Sequence, residues 1–577
     1  MIKVMRTRIN KIITIALATV AFQINAQQGV EYTFTYEAAR SLDPAQRIAL
    51  KPSMIDTVFA KPETDAELLP IKKEVEIETM PIQAANIKIT PTVGKLYPGY
   101  AVLGIGNYLM PLGEVYYNET RSKKYHWGIE AKHHSAWAGK IQDFAPPRFD
   151  RTDVDLYGKI IQKTFTTTAR FNYMNHGLNL FGTRDTLITQ DSIRQRFQNY
   201  GVYAEFASHQ RDSAHLGWRL GLEYNNYRDK PRPGLDDIWR ARENFVGIYS
   251  SFRYKLGLER YGLDFNIRYN NYKFGENGTT LSPGVQGFEM GNVVVNFKPH
   301  ITHISADNKL LARVGFDLAF HSIDETKPLL SPQALVQYSL FNNHLLPYVS
   351  LNGFGVQQNT FRNTSQFNHF VRSDLELRNE RNPLNFQGGL RGSISEHVSF
   401  DANFSYGYFK DKMLFVIDTT LPRLNQFKTV FDDMNISRIE LVMTFQISEK
   451  FKFDAVGQLF SYQVDKAPYA WNLPNYVIKF RGHYNLFDKF ITNLDFSILG
   501  GRRMREFGPG DGIGFTNLEY HSEMGLLADV NLSFEYRYNP RISAFIQFNN
   551  LAAQQYLRWM NSPVYRFQAL GGVTFRF

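Results

Sequence analysis

The chain is organised by alternation. Across residues 563–577, Tyr565, Phe567, Ala569, Gly571, Val573, Phe575 and Phe577 share one face of an extended strand. Arg566, Gln568, Gly572, Thr574 and Arg576 share the other, and Leu570 is the exception. Strand side chains alternate with a period of two, so such a segment can show one face to lipid and the other to a wet interior. The pattern recurs from residue 99 onward. Tyr261, Leu263, Phe265, Ile267 and Tyr269 oppose Gly262, Asp264, Asn266, Arg268 and Asn270. Val398, Phe400, Ala402, Phe404, Tyr406 and Tyr408 oppose Ser399, Asp401, Asn403, Ser405 and Gly407. Phe451, Phe453, Ala455 and Leu459 oppose Lys452, Asp454 and Gln458, and Ile542, Ala544, Ile546 and Phe548 oppose Ser543, Gln547 and Asn549. A soluble sandwich also alternates, but with a more aliphatic inner face and a more charged outer one. Here Tyr and Phe mark strand ends, as an interfacial girdle does.

Connections alternate too. Tight turns are predicted at 121–124, 162–163, 210–213, 258–260, 306–308, 342–343, 395–397, 448–450, 487–489 and 538–541. Longer connections rich in Gly, Pro, Asp and Asn fall between them, at 135–150, 181–191, 229–240, 361–383, 411–433 and 500–516. Short turns on one side and long loops on the other predict an all-β, antiparallel transmembrane barrel of about 22 strands, with about 20 or 24 as neighbouring counts. An even count returns both termini to the short-turn, periplasmic side. The first strand is expected near 99–109, paired with the last to leave no open edge.

The N-terminus changes the picture. Lys3, Arg6, Arg8 and Lys11 precede the apolar run 12–22, and cleavage is expected after Ala26. That arrangement predicts a secretory signal peptide. Residues 27–98 are punctuated by Pro52, Pro62, Pro70, Pro81 and Pro91, and only 85–90 reads as a strand. Such sequence reads as an extended segment, periplasmic or threading the lumen. Three parts are expected: 1–26 signal peptide, 27–98 segment, 99–577 barrel.

The absence of cysteine excludes disulfides, thiolate metal sites and a lipoprotein anchor. Aromatics reach 15%, with 32 Tyr and 46 Phe. The net charge of +10 includes four signal-peptide cations, and no compact basic cluster predicts nucleic-acid binding. The expected contacts are outer-membrane lipid and lipopolysaccharide.

Two stretches resemble the barrels of TonB-dependent receptors. Leu377, Arg378, Asn379, Glu380 and Arg381, followed by 386–392, are similar to that family's Leu-x-Pro-Glu-Arg segment and downstream Glu-x-Gly, with Asn379 for the proline and Gln387 for the second acid. Phe548, Asn549, Asn550 and Leu551, with Tyr556 and the closing strand, are similar to its Asn-Leu-Phe-Asp ending, with Ala552 and Ala553 for Phe-Asp. Tyr/Asn/Lys usage looks like the Bacteroidota branch. The resemblance implies a barrel of that kind in the outer membrane. It also implies that Phe575 and Phe577 are a C-terminal signal for the barrel-assembly machinery. The family's plug domain has no recognisable counterpart in 27–98.

Candidate chemistry is sparse. His126 and His134 share a strand face but lie roughly 26 Å apart, too far to share a metal. Asp153 and Asp155 share a face without the six oxygen ligands calcium takes, and read as lumen charges. Asp236 and Asp237 lie in a long loop that could meet a divalent ion at lipopolysaccharide. Residues 508–514 are Gly-rich but lack a phosphate loop's Lys-Ser/Thr. Ser135 beside His134, and Ser522 beside His521, point to opposite strand faces and cannot pair as nucleophile and base. No cofactor, metal or catalytic residue is assigned. Asp264, Asn266, Arg268, Asp401, Asn403, Lys452 and Asp454 are expected to face the lumen. The leading expectation is a transport or channel barrel for an unidentified solute, not an enzyme. The alternatives are a non-transporting subunit of an outer-membrane assembly or export complex, with a periplasmic or outer-membrane partner protein, and a barrel enzyme.

Overall fold

The computed structural model describes residues 96–119, 121–139, 147–182, 193–209, 216–230, 240–276, 280–282, 285–323, 328–418, 423–505 and 521–577. The expectations for the signal peptide, for 27–95, for Asp236 and Asp237, for 508–514 and for the turn at 210–213 lie outside these residues.

Residues 99–576 close into one antiparallel barrel of 22 strands, from Gly99–Gly106 to Gln568–Arg576. Each strand pairs with the next in the chain. One of them, Leu345–Asn352, continues as Gly355–Gln357 after a two-residue break, and both halves pair with Glu380–Ser395. The last strand pairs with the first, Tyr100 opposite Arg576 and Gly106 opposite Leu570. Closure gives every strand two partners, so no backbone edge faces hydrocarbon. Gly99 and Phe577 exchange two backbone hydrogen bonds, each 3.0 Å. A Cβ on Gly99 would meet the Phe577 ring at 2.2 Å, so the terminal aromatic lies directly over this glycine at the seam.

The two ends of the barrel differ as the sequence predicts. At one end, turns such as 487–488 are minimal. Phe487 and Asp488 take φ of 55° and 56°, and Lys489 N–H donates to the Leu486 carbonyl at 3.1 Å. This mirror-image turn matches the twist of the strands it joins. At the other end the connections are mostly long.

Burial is inverted relative to a water-soluble protein. On the strand Leu216–Asp229, Leu220, Leu222 and Tyr224 are exposed, whereas Asn225, Tyr227 and Asp229 are buried. Exposed apolar and enclosed polar side chains in alternation mark a lipid-facing wall. Among the described residues no helix is long and apolar enough to cross a membrane; the crossings are made by strands.

Two details depart from expectation. The connection predicted at 411–433 is largely strand. Val398–Ile417 and Phe427–Ser448 run 20 and 22 residues. A membrane crossing needs only about 9–11, so this hairpin stands well beyond the bilayer on the long-loop side. Asp418, read as loop, instead pairs with Arg372, and Asp432 accepts from the backbone N–H groups of Lys466 and Ala467. Tyr565 was expected on the lipid face of the closing strand, but that strand begins only at Gln568. Tyr565 turns inward in the preceding loop, its hydroxyl donating to the Pro147 carbonyl and its ring 5.0 Å from Tyr108.

Candidate functional site: the loop-side mouth

Of the predicted loop at 361–383, residues 361–379 form a folded insertion into the barrel, and 380–383 already belong to the strand Glu380–Ser395. Thr360 caps the helix Phe361–Phe367, its side chain accepting from Asn363 N–H at 3.1 Å, as Thr does at helix starts. The Phe361 ring is fully buried. It stands 5.3 Å from Tyr272, 5.5 Å from Tyr227 and 6.1 Å from Phe197. At the other end of the helix, Phe367 stacks 5.7 Å from Phe415 and meets Trp559 edge-on at 5.7 Å. Tyr227 and Tyr272 belong to strands far around the ring from that of Phe415. One short helix can touch both sets only from inside the barrel.

Polar contacts fix the segment. The Glu243 carboxylate accepts backbone N–H bonds from both Phe361 and Arg362, the second at 3.2 Å. Tyr227 and Ser365 hydroxyls meet at 2.6 Å. Tyr272 donates to the Ser373 carbonyl at 2.5 Å and accepts from Leu375 N–H at 2.9 Å, while Ser373 donates to Asp229. The chain then adds to the wall as a parallel bridge. Arg372 N–H donates to the Phe427 carbonyl and Phe427 N–H to the Phe370 carbonyl, each at 2.9 Å. Arg372 also pairs with Asp374 and with the buried Asp418. His369 is enclosed; burial first, and the neighbouring Arg151, His176 and Arg558 after it, push its imidazole down to about 3.

The motif residues singled out in the sequence brace this insertion. Leu377 and Asn379 are buried, Asn379 pairing with Asn292 at 2.7 Å. Glu380 holds Lys412 at 2.8 Å, and Arg381 pairs with Asp411. At the other motif, Asn550 donates to the Gln554 carbonyl at 2.7 Å and the Tyr565 carbonyl at 2.9 Å, folding the loop that carries Trp559.

The residues expected in the lumen form ladders of polar contacts. Arg268 donates to Asn296 at 2.8 Å and to the Val356 carbonyl at 3.1 Å. Asp264 pairs with Arg253 at 2.8 Å, and both positions share strand parity with Tyr272. Asn266 lies between them, opposite Asn296. Asp401 holds Arg391 at 2.7 Å, Asn403 donates to Glu440 at 3.1 Å, and Lys452 lies 3.3 Å from Asp454.

The histidine–serine question resolves differently from the adjacent pairs considered above. His133, not His134, meets Ser135, with Nε2 3.1 Å from its hydroxyl and Nδ1 2.8 Å from Thr152. Ser135 is completely buried. Asp153, one of the two acids sharing a strand face, is held by His176 at 2.9 Å. Among the described residues no three His, Asp or Glu side chains converge as a metal site. Sequence reading missed Glu243, Tyr272 and Asp229, whose partners lie about a hundred residues or more away in the insertion.

No family model matches the sequence, and no curated protein matches it. Solved structures do match the fold. The siderophore receptor PirA from Acinetobacter baumannii superposes with a TM-score of 0.62 at 12% identity, over 83% of this chain and 80% of that one. The copper transporter OprC gives 0.59 at 11%, over 83% and 80%. The pyoverdine outer membrane receptor FpvA from Pseudomonas aeruginosa PAO1 gives 0.59 at 11%, over 83% and 78%. The fold is that of outer-membrane receptor and transporter barrels.

Proposed function

We propose that this protein is an outer-membrane barrel of the transport or channel type, which admits a solute through a mouth closed by its own insertion. The observation that carries this reading is the segment 358–379, folded across the interior and anchored on opposite walls. A purely structural barrel has no need of such an element. A passage needs something that can be displaced. Superposition on receptors and a copper transporter supports the same class. Asp264, Asn266, Arg268, Asp401, Asn403, Lys452 and Asp454 then line a hydrated path, and Phe575 and Phe577, the latter lying over Gly99, serve barrel assembly. Both termini lie in the periplasm, the long loops meet lipopolysaccharide, and 27–98 contributes a further periplasmic or lumenal closure.

Planar-bilayer recording tests this. Replacing 361–375 with a short Gly-Ser linker in the full-length chain should raise open probability strongly. Unchanged conductance in a correctly closed barrel would overturn the reading.

A further inference from the structure

Beside the insertion, the mouth carries a row of basic side chains. His134, Arg151 and His176 lie directly opposite one another on three adjacent strands, Tyr125–Ala136, Phe149–Ile161 and Phe165–Asn179. Directly opposed residues point to the same side of a sheet. That side is the interior, because Met174, two residues from His176, touches Gln366 of the inward helix at 3.3 Å. The row lies two to three residues below the strand ends, level with the insertion. Arg151 is solvent-exposed on this inner face.

Arg558, exposed on the loop 550–567, lies within electrostatic reach of Arg151. This loop is built to hold it there. The buried Arg502 guanidinium donates to the Arg558 carbonyl at 2.9 Å and to the Leu557 carbonyl at 2.8 Å, and Trp559 is locked against Phe427 and Phe415. His369 of the insertion sits within electrostatic reach of both arginines. Neither Arg151 nor Arg558 pairs with a carboxylate among the described residues. Asp153, within electrostatic reach of Arg151, is engaged by His176 at 2.9 and 3.1 Å. His134 Nε2 is buried with no hydrogen-bond partner. Two guanidinium groups within electrostatic reach of each other repel, and an enclosed nitrogen without a partner is costly. One ligand relieves both: an oxyanion, whose paired oxygens match the forked donors of arginine.

We propose that Arg151 and Arg558, with His134 and His369 at its edges, form a binding site for a soluble oxyanion, a carboxylate- or phosphate-bearing solute, at the loop-side mouth. The site rests on the transport reading, since it names the class of solute the mouth receives. It also places that solute against His369, so occupancy and the seating of the insertion are coupled.

The test is calorimetric titration of the full-length barrel in detergent, at fixed ionic strength, with inorganic phosphate and separately with succinate. Saturable binding of at least one probe is expected, weakened tenfold or more in the double variant Arg151→Gln, Arg558→Gln. Arg170→Gln, an inward arginine deeper on a neighbouring strand, should leave the affinity unchanged. The heat-modifiable gel shift confirms that each variant is a closed barrel, and if the double variant fails it, the single variants are titrated instead. Absence of saturable binding by either probe, equal affinity in the double variant, or an equal loss in Arg170→Gln would each overturn the site. Binding in detergent requires no passage, so this result stands apart from the conductance that tests the transport reading.

Discussion

Phe361 is the residue on which the seating of the insertion should depend most. Its ring is enclosed by Phe197, Tyr227 and Tyr272 at centroid distances of 5.3–6.1 Å, and it is the largest apolar group the helix buries. Truncating an enclosed phenylalanine to alanine costs about 3–5 kcal/mol in folded proteins. Here the barrel wall does not depend on the insertion for its strand pairing, so the loss falls on docking rather than on folding. At about 1.4 kcal/mol per factor of ten, the undocked fraction should rise roughly 150-fold or more in Phe361→Ala. Single-channel recording should show this as a large increase in open probability, with the gel shift of a closed barrel retained. Asn363→Ala is the matched control. Asn363 lies on the same helix, exposed, and only its backbone N–H takes part in the cap. The reasoning is refuted if Phe361→Ala and Asn363→Ala record alike, or if Phe361→Ala destroys the barrel itself.

Acid should loosen the insertion through His369. Its docked value, about 3 against the ordinary 6.5, means that the undocked form binds the proton more readily, so docking is fully favoured above pH 6.5 and weakens as pH falls toward 3. Opening at pH 5 should exceed that at pH 7.5 by up to about 30-fold, and His369→Gln should flatten the profile; an unaltered profile in that variant would contradict the assignment. Phe404→Arg puts a cation on the exposed outer face and should cost about 2–4 kcal/mol, whereas Asn403→Arg, on the opposite face, should be tolerated; equal accumulation of the two would disprove the facing. Deleting 573–577 removes the pairing with Leu103, Val102, Ala101 and Tyr100 and should abolish the heat-modifiable shift, which would persist at normal abundance only if the seam were dispensable.

The barrel was legible because its rule is local. A period of two, aromatic strand ends and alternating short and long connections are all written in neighbouring residues, and they gave the strand count and the first-to-last closure. The insertion was not legible as structure. Phe361, Ser365 and Leu375 are satisfied by Tyr227, Glu243 and Tyr272, and nothing local links those positions. Its single local signal is Thr360, a competent cap before a seven-residue helix too short to show periodicity. The 411–433 stretch misled for a related reason. Asp411, Asp418, Asp432 and Asp433 read as loop, but they serve Arg381, Arg372 and backbone donors such as Lys466 and Ala467 on strands that overshoot the membrane. The row His134, Arg151 and His176 likewise exists only through register.

The central claim is that the segment 358–379 lies inside the barrel against its wall, and the chain's lack of cysteine makes that directly measurable. Val371 and Phe427 are bridge partners, close enough for a disulfide between strand neighbours. In Val371→Cys, Phe427→Cys the two thiols have only each other as partners. Mild oxidation of native outer membranes should join them, seen by mass spectrometry as one linked peptide pair. Channel opening should be suppressed until a reductant is added. Two thiols that remain free and react readily with an impermeant alkylating reagent would contradict the account.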